Sequence, residues 1–144
     1  MLTLLAITLM TAAQITAADM ERPRVPLCTA QEGELDRKLA VRRADGRVWW
    51  FPHAEASAVP YNEAREVTAH QRRWFRERSP LTVDGAHWRY ARTDQVDNTA
   101  FRRYNLPLDP VDGVPAMAPM GAEDELWILL EPVGCRFAVW RRER

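Results

Sequence analysis

The chain of 144 residues is short of most things that would announce a function. It has two cysteines, one lysine (Lys38), six glycines standing singly, and no apolar run of the roughly 20 residues a bilayer-spanning helix needs. Two cysteines are too few for a disulfide-dense scaffold or a four-cysteine zinc site. Twenty basic and twenty acidic side chains cancel, whereas a nucleic-acid binder carries a clear excess of Lys and Arg, so no nucleic-acid partner is expected. Isolated glycines provide no phosphate-cradling loop, and no G-x-S-x-G, C-x-x-C, H-E-x-x-H or calcium-loop pattern occurs. Serine stands only at 57 and 79, the second wedged before Pro80, which disfavours a serine nucleophile. No catalytic residue, cofactor or metal is therefore expected.

What remains is ordinary globular composition, 47% hydrophobic and 28% charged, in a chain the length of one domain. Residues 1–18, MLTLLAITLMTAAQITAA, stand apart, with no charge, Pro, Gly or aromatic among their side chains. Leu2 to Met10 form an apolar block of signal-peptide length, followed by small and polar residues. Cleavage after Ala18 puts Thr16 at −3 and starts the mature chain at Asp19. A basic n-region is missing, and the alternative is a buried or amphipathic N-terminal helix. Thr11, Gln14 and Thr16 interrupt the segment as a membrane anchor, so no stable insertion after cleavage is expected. The expected location is periplasmic or secreted. There, Cys28 and Cys135 most simply form one bridge. Cys135 alternates with Phe137 and Val139 and so faces inward, which suits a buried bridge or a free core thiol better than a reactive one.

The pattern after the signal predicts an α+β fold. Residues 19–34 are Pro-rich and polar, an extended lead-in, and 35–144 form a single domain. Asp45-Gly46 and Asp84-Gly85 each sit between apolar-bearing segments and predict hairpins, because Gly accepts the positive φ of a tight turn. Both are followed by Trp three residues after the Gly, at Trp49 and Trp88, a faint sign of duplication. Residues 62–78 predict one amphipathic helix, with Asn62 at the N-cap and Tyr61, Val67, Trp74 and Phe75 on its stripe. Four prolines between 107 and 119 argue against a central strand there. Two apolar runs around Pro132-Gly134 predict a terminal hairpin, the first run being apolar on both faces and so central. The expectation is a mainly antiparallel sheet of five or six strands with the helix packed on one face.

Six tryptophans give the surface question its form. Trp74, Trp88 and Trp127 fit the core. Trp49 and Trp50 are strand neighbours that point to opposite faces, so one of them is a candidate for exposure unless the helix covers it. Trp140 shares its strand face with Arg136 and Arg142 and is a second candidate. Arg72, Arg73, Arg76 and Arg89 lie in a locally basic stretch, while 105–131 holds six acids and no base. Either the two regions neutralise each other, or the arginines form a site for carboxylate or phosphate. Glu66 and His70, four apart on the expected helix, are the one pair with metal-ligand spacing. His70 and His87 beside Arg are the candidates for acid/base hydrolysis of a phosphodiester.

The expected function is that of a small exported, disulfide-closed binding or accessory protein without catalytic activity. Its partner would be another protein or a cell-envelope component, met through a surface of Trp49, Trp50, Trp140 and the four arginines. A small nuclease-like hydrolase using His70 or His87 is the alternative from another class, and a purely structural domain is the third.

Overall fold

The computed structural model describes residues 14–52, 57–96, 105–119 and 121–144. Residues 1–13 of the expected signal segment, and His53, lie outside them. The described chain opens with a short helix, α1 (Ala17–Met20), and then forms two antiparallel sheets. The first has four strands in the order β1-β2-β3-β4: Arg24–Thr29, Asp36–Arg42, Val48–Trp50 and Val59–Pro60. After a connecting stretch that contains α2 (Arg73–Arg76), six strands follow: β5 (Leu81–Val83), β6 (Ala86–Gln95), β7 (Asn105–Val111), β8 (Val114–Pro119), β9 (Glu125–Glu131) and β10 (Arg136–Arg142). They lie side by side in the order β5-β6-β10-β9-β8-β7.

The mainly antiparallel sheet of the expected α+β fold is present, and so are all three expected turns. Gly46 and Gly85 adopt φ of +84° and +73°, the left-handed region that a side chain resists and glycine accepts. Asp84 joins Gly85 with φ of +49°, so both central residues of that two-residue turn are left-handed, as the twist of a tight hairpin demands. β9 lies between β10 and β8, and its residues from Glu125 to Leu130 are all buried, the central strand its apolar run implied.

Three expectations are corrected. Among the described residues ten strands divide into two sheets rather than one sheet of five or six, and the lead-in is itself β1, paired along its length with β2 from Arg24↔Val41 to Thr29↔Asp36. The prolines do not keep 105–119 out of the sheet. β7 takes Pro107 and Pro110 at the sheet edge, where an absent N–H costs no ladder bond, and β8 pairs inward with β9 through Ala116 and Met117.

The third correction concerns the helix at 62–78, which is not continuous. Its residues form a 3₁₀ turn at Glu63–Arg65, a second at Ala69–Gln71, and the four-residue α2. Glu66 (ψ 137°), Thr68 (ψ 163°) and Arg72 (ψ 133°) are extended between them. Tertiary demands override helical propensity here. Glu66 turns inward to accept hydrogen bonds from Thr29 and Ala30, and Ala69 is fully buried in the larger core. Asn62 does act as a cap, accepting from the Ala64 N–H at 3.2 Å, but for one turn only.

The sheets meet along a seam. Cys28 of β1 and Cys135, in the turn before β10, form a disulfide with Cα atoms 5.0 Å apart, and both residues are fully buried. Around it Leu27 bridges Val133, the Cys28 N–H donates to the Pro132 carbonyl at 2.9 Å, and the Gly134 N–H donates to the Pro26 carbonyl at 2.7 Å. Closing a loop of 107 residues stabilises the fold by about 4–5 kcal/mol in the chain-entropy account. Among the described residues no helix is long and apolar enough to cross a membrane.

Candidate functional site

The residues expected to make an exposed Trp/Arg surface separate into a buried set and an exposed set. Trp49 and Trp50 do point to opposite faces of the small sheet, yet they are only 6% and 5% exposed. Trp50 packs edge-on against Tyr61, with ring centroids 5.5 Å apart, while Trp49 lies under the Arg43 guanidinium at 5.5 Å. Arg43 is in turn held by Asp19 of α1 at 3.2 Å. Trp140 is fully buried, which corrects the expectation of an exposed ring. Its neighbours are Trp74 (5.5 Å), Phe75 (6.5 Å) and Tyr90 (5.3 Å), all tilted edge-to-face as ring quadrupoles prefer. α2 is thus the plate that covers Trp140. Strand alternation could say that a Trp leaves one face; it could not say that a short helix arrives to cover it.

The arginines are outside, and most are neutralised. The Arg72 Nη2 donates to the Asp112 carbonyl at 2.7 Å, and its Nε lies 3.5 Å from the Asp112 carboxylate. Arg73 pairs with Glu77 at 2.6 Å, and Arg89 with Glu143. Arg76 is exposed at the end of α2. Asp112 and Glu125 of the acidic stretch pair with Arg72 and Arg92 of the basic one, so the segregated charges of the sequence meet across the fold, while Glu131 pairs with Arg136 across its own hairpin turn.

The one pair with metal-ligand spacing does not converge. Glu66 is 3% exposed and turned toward β1, while His70 is out in solvent, 3.5 Å from Glu131 and edge-on to Phe75. Among the described residues no group of three or more His, Cys, Asp or Glu could hold a metal ion. Nor do the histidines converge. His70 approaches the Glu131 end of β10, where Arg136 pairs, and His87 lies at the other end, its carbonyl accepting from the Glu143 N–H. Six residues of strand between these points span about 20 Å. The two histidines therefore do not share one substrate position, and His87 meets the Thr82 hydroxyl at 3.2 Å.

Two polar clusters went unread in the sequence. Glu125 opens β9, and its carboxylate takes two bonds from Arg92 (2.9 and 3.1 Å), one from Arg141 (3.3 Å) and one from the Trp127 indole (3.0 Å). The Arg92 bonds foremost, against the cost of burial, bring its pKa down to about 2. Beside it the chain end forms an open cleft of about 560 Å³ lined by Asp124, Arg141, Arg142, Glu143 and Arg144. The second cluster is Glu66 with Thr29, Ala30 and Tyr61; burial dominates there and holds both the Glu66 carboxyl and the Tyr61 phenol above their usual ranges. A charge on a strand otherwise apolar on both faces was the available signal for Glu125. For Glu66 there was none, because its partners Thr29 and Ala30 lie more than thirty residues away.

Compared with protein-family models, with curated proteins and with solved structures, the chain matches none.

Proposed function

We propose that this chain is a small exported binding or accessory protein without catalytic activity, closed by the Cys28–Cys135 bridge and working in the periplasm or outside the cell. The observation that carries the reading is that bridge: a fully buried disulfide joining two sheets belongs in an oxidising compartment. A reducing cytosol would leave the seam to be held by the backbone bonds beside it and the packing of Val133 against the small core. The partner in this reading is another protein or a cell-envelope component. Its contact surface falls on the exposed arginines Arg73 and Arg76 of α2, with Trp140 in the rigid layer beneath rather than as a contact, while Arg89, the strand neighbour of Tyr90, points to the opposite face of the large sheet. Arg suits a carboxylate- or phosphate-bearing partner because its planar fork can make two parallel hydrogen bonds.

Export asks something specific of the N-terminus. The expected cut after Ala18 falls inside α1, whose capping box pairs the Thr16 hydroxyl with the Asp19 N–H and the Asp19 carboxylate with the Thr16 N–H. Processing removes Thr16 and leaves Asp19, with its link to Arg43, as the first residue.

The test is expression of the full gene in an export-competent host, followed by fractionation and intact mass before and after thiol reduction. A periplasmic or secreted chain lacking residues 1–18, gaining two hydrogens on reduction, supports the reading. A full-length, fully reduced chain in the cytoplasm overturns it.

A further inference from the structure

Cys28 is followed by two residues, Thr29 and Ala30, that are both tied to one distant carboxyl group. The Thr29 hydroxyl and the Ala30 N–H (3.1 Å) donate to the same oxygen of Glu66. Glu66 is 3% exposed and anchors the strap from Tyr61 to Gln71. That strap carries Val67 and Ala69 into the same apolar cluster as Cys28 and Cys135. One side chain therefore fastens the strap to the two residues that follow Cys28 in the chain.

We infer that Glu66 is a pH-sensitive latch: while its carboxyl is neutral the strap lies closed over the Cys28–Cys135 bridge, and ionisation as pH rises opens the strap and admits reductant. A carboxylate at this depth has shed its hydration, and the donors that face it, from Thr29, Ala30, Gln31 and Tyr61, compensate only part of the loss. Opening returns the charged group to water. The groups that face it are Thr29, Ala30 and Gln31 from β1 and the turn after it, and Tyr61 and Glu63 from the strap. Asp36, opposite Thr29 on β2, has its carboxylate committed to Lys38 at 3.2 Å. Tyr61 is itself pushed up by burial and by the charge of Glu66, so it stays neutral while Glu66 titrates. Burial likewise raises the Glu66 carboxyl in the closed state. The sign follows: the closed form binds the proton more tightly than the open form, so its advantage is complete in acid and is lost as pH rises through the raised value.

The experiment is the rate at which a water-soluble phosphine reduces the single disulfide of the full chain, from about pH 4 to about pH 8. Wild type is divided by Glu66→Gln at each pH, which cancels the reductant's own pH dependence. The variant keeps an oxygen for Thr29 and Ala30 but has no proton to lose. The ratio is expected to climb by up to about tenfold per pH unit and then level off. A flat or falling ratio overturns the latch. Should the variant fail to fold, amide exchange at Ala30 in the wild type decides the matter. Corrected for intrinsic exchange, its protection must fall over the same window, and protection independent of pH overturns the proposal.

Discussion

The small sheet builds its core on one face from Leu27, Ala40, Val48, Trp50 and Tyr61, and Val133 from the turn between β9 and β10 completes it. The large sheet buries both faces of β9 and β10 and, among the described residues, gathers more than twice as many buried residues between Val114 and Trp140 alone. Its turns and strands supply everything that core needs except Cys28, Ala69 and a few flanking side chains. The difference teaches a dependence. A sheet whose strands β3 and β4 are three and two residues long buries few side chains of its own, and Val133 and the disulfide tie it to the large sheet through the seam.

Substitution can break or sharpen this contrast, and the largest effect is expected at the seam. Replacing both cysteines, Cys28→Ser with Cys135→Ser, should cost about 4–5 kcal/mol in urea-induced unfolding. It should also separate one transition into two, the small sheet melting first. Trp140→Ala empties the centre of the large core among Trp74, Phe75 and Tyr90, and a loss of about 3–5 kcal/mol is expected there, with a single transition retained. Acid should act on the large sheet. The Glu125 carboxyl is lowered to about 2 in the fold, so the stability it contributes is present above its unfolded value near 4.5 and is lost as pH falls toward 2. After allowance for screening by water this amounts to about 1–2 kcal/mol, read as the drop in midpoint between neutral and acid titrations. Arg92→Ala should flatten that dependence. Smallest of all is Leu39→Ser on the small sheet: Leu39 is 44% exposed, and a shift within about 0.5 kcal/mol is expected in the same urea titration.

How much of this the sequence disclosed follows from how far apart the cooperating residues lie. The Asp-Gly turns were legible because a tight turn and its glycine occupy adjacent positions. Asp112-Gly113 carries the same signal, with φ of +51° and +76°, and was obscured by the prolines around it. The bridge was legible because two cysteines in an oxidising compartment have one simple pairing. The helix at 62–78 read well locally and is broken by Glu66, whose partners Thr29 and Ala30 are far off in sequence. The same distance hid the fate of the tryptophans. Alternation correctly put Trp49 and Trp50 on opposite faces, but that both faces are covered depends on elements packed across the fold. The candidate surface accordingly shifts from aromatic rings to the arginines outside them.

The most direct test of the seam is amide hydrogen exchange on the oxidised protein and on the same protein after reduction. If the bridge holds the small sheet to the large one, reduction strips protection from the amides of β1 and β2 while those of β9 and β10 keep theirs. Equal loss in both sheets, or none in either, would contradict the account.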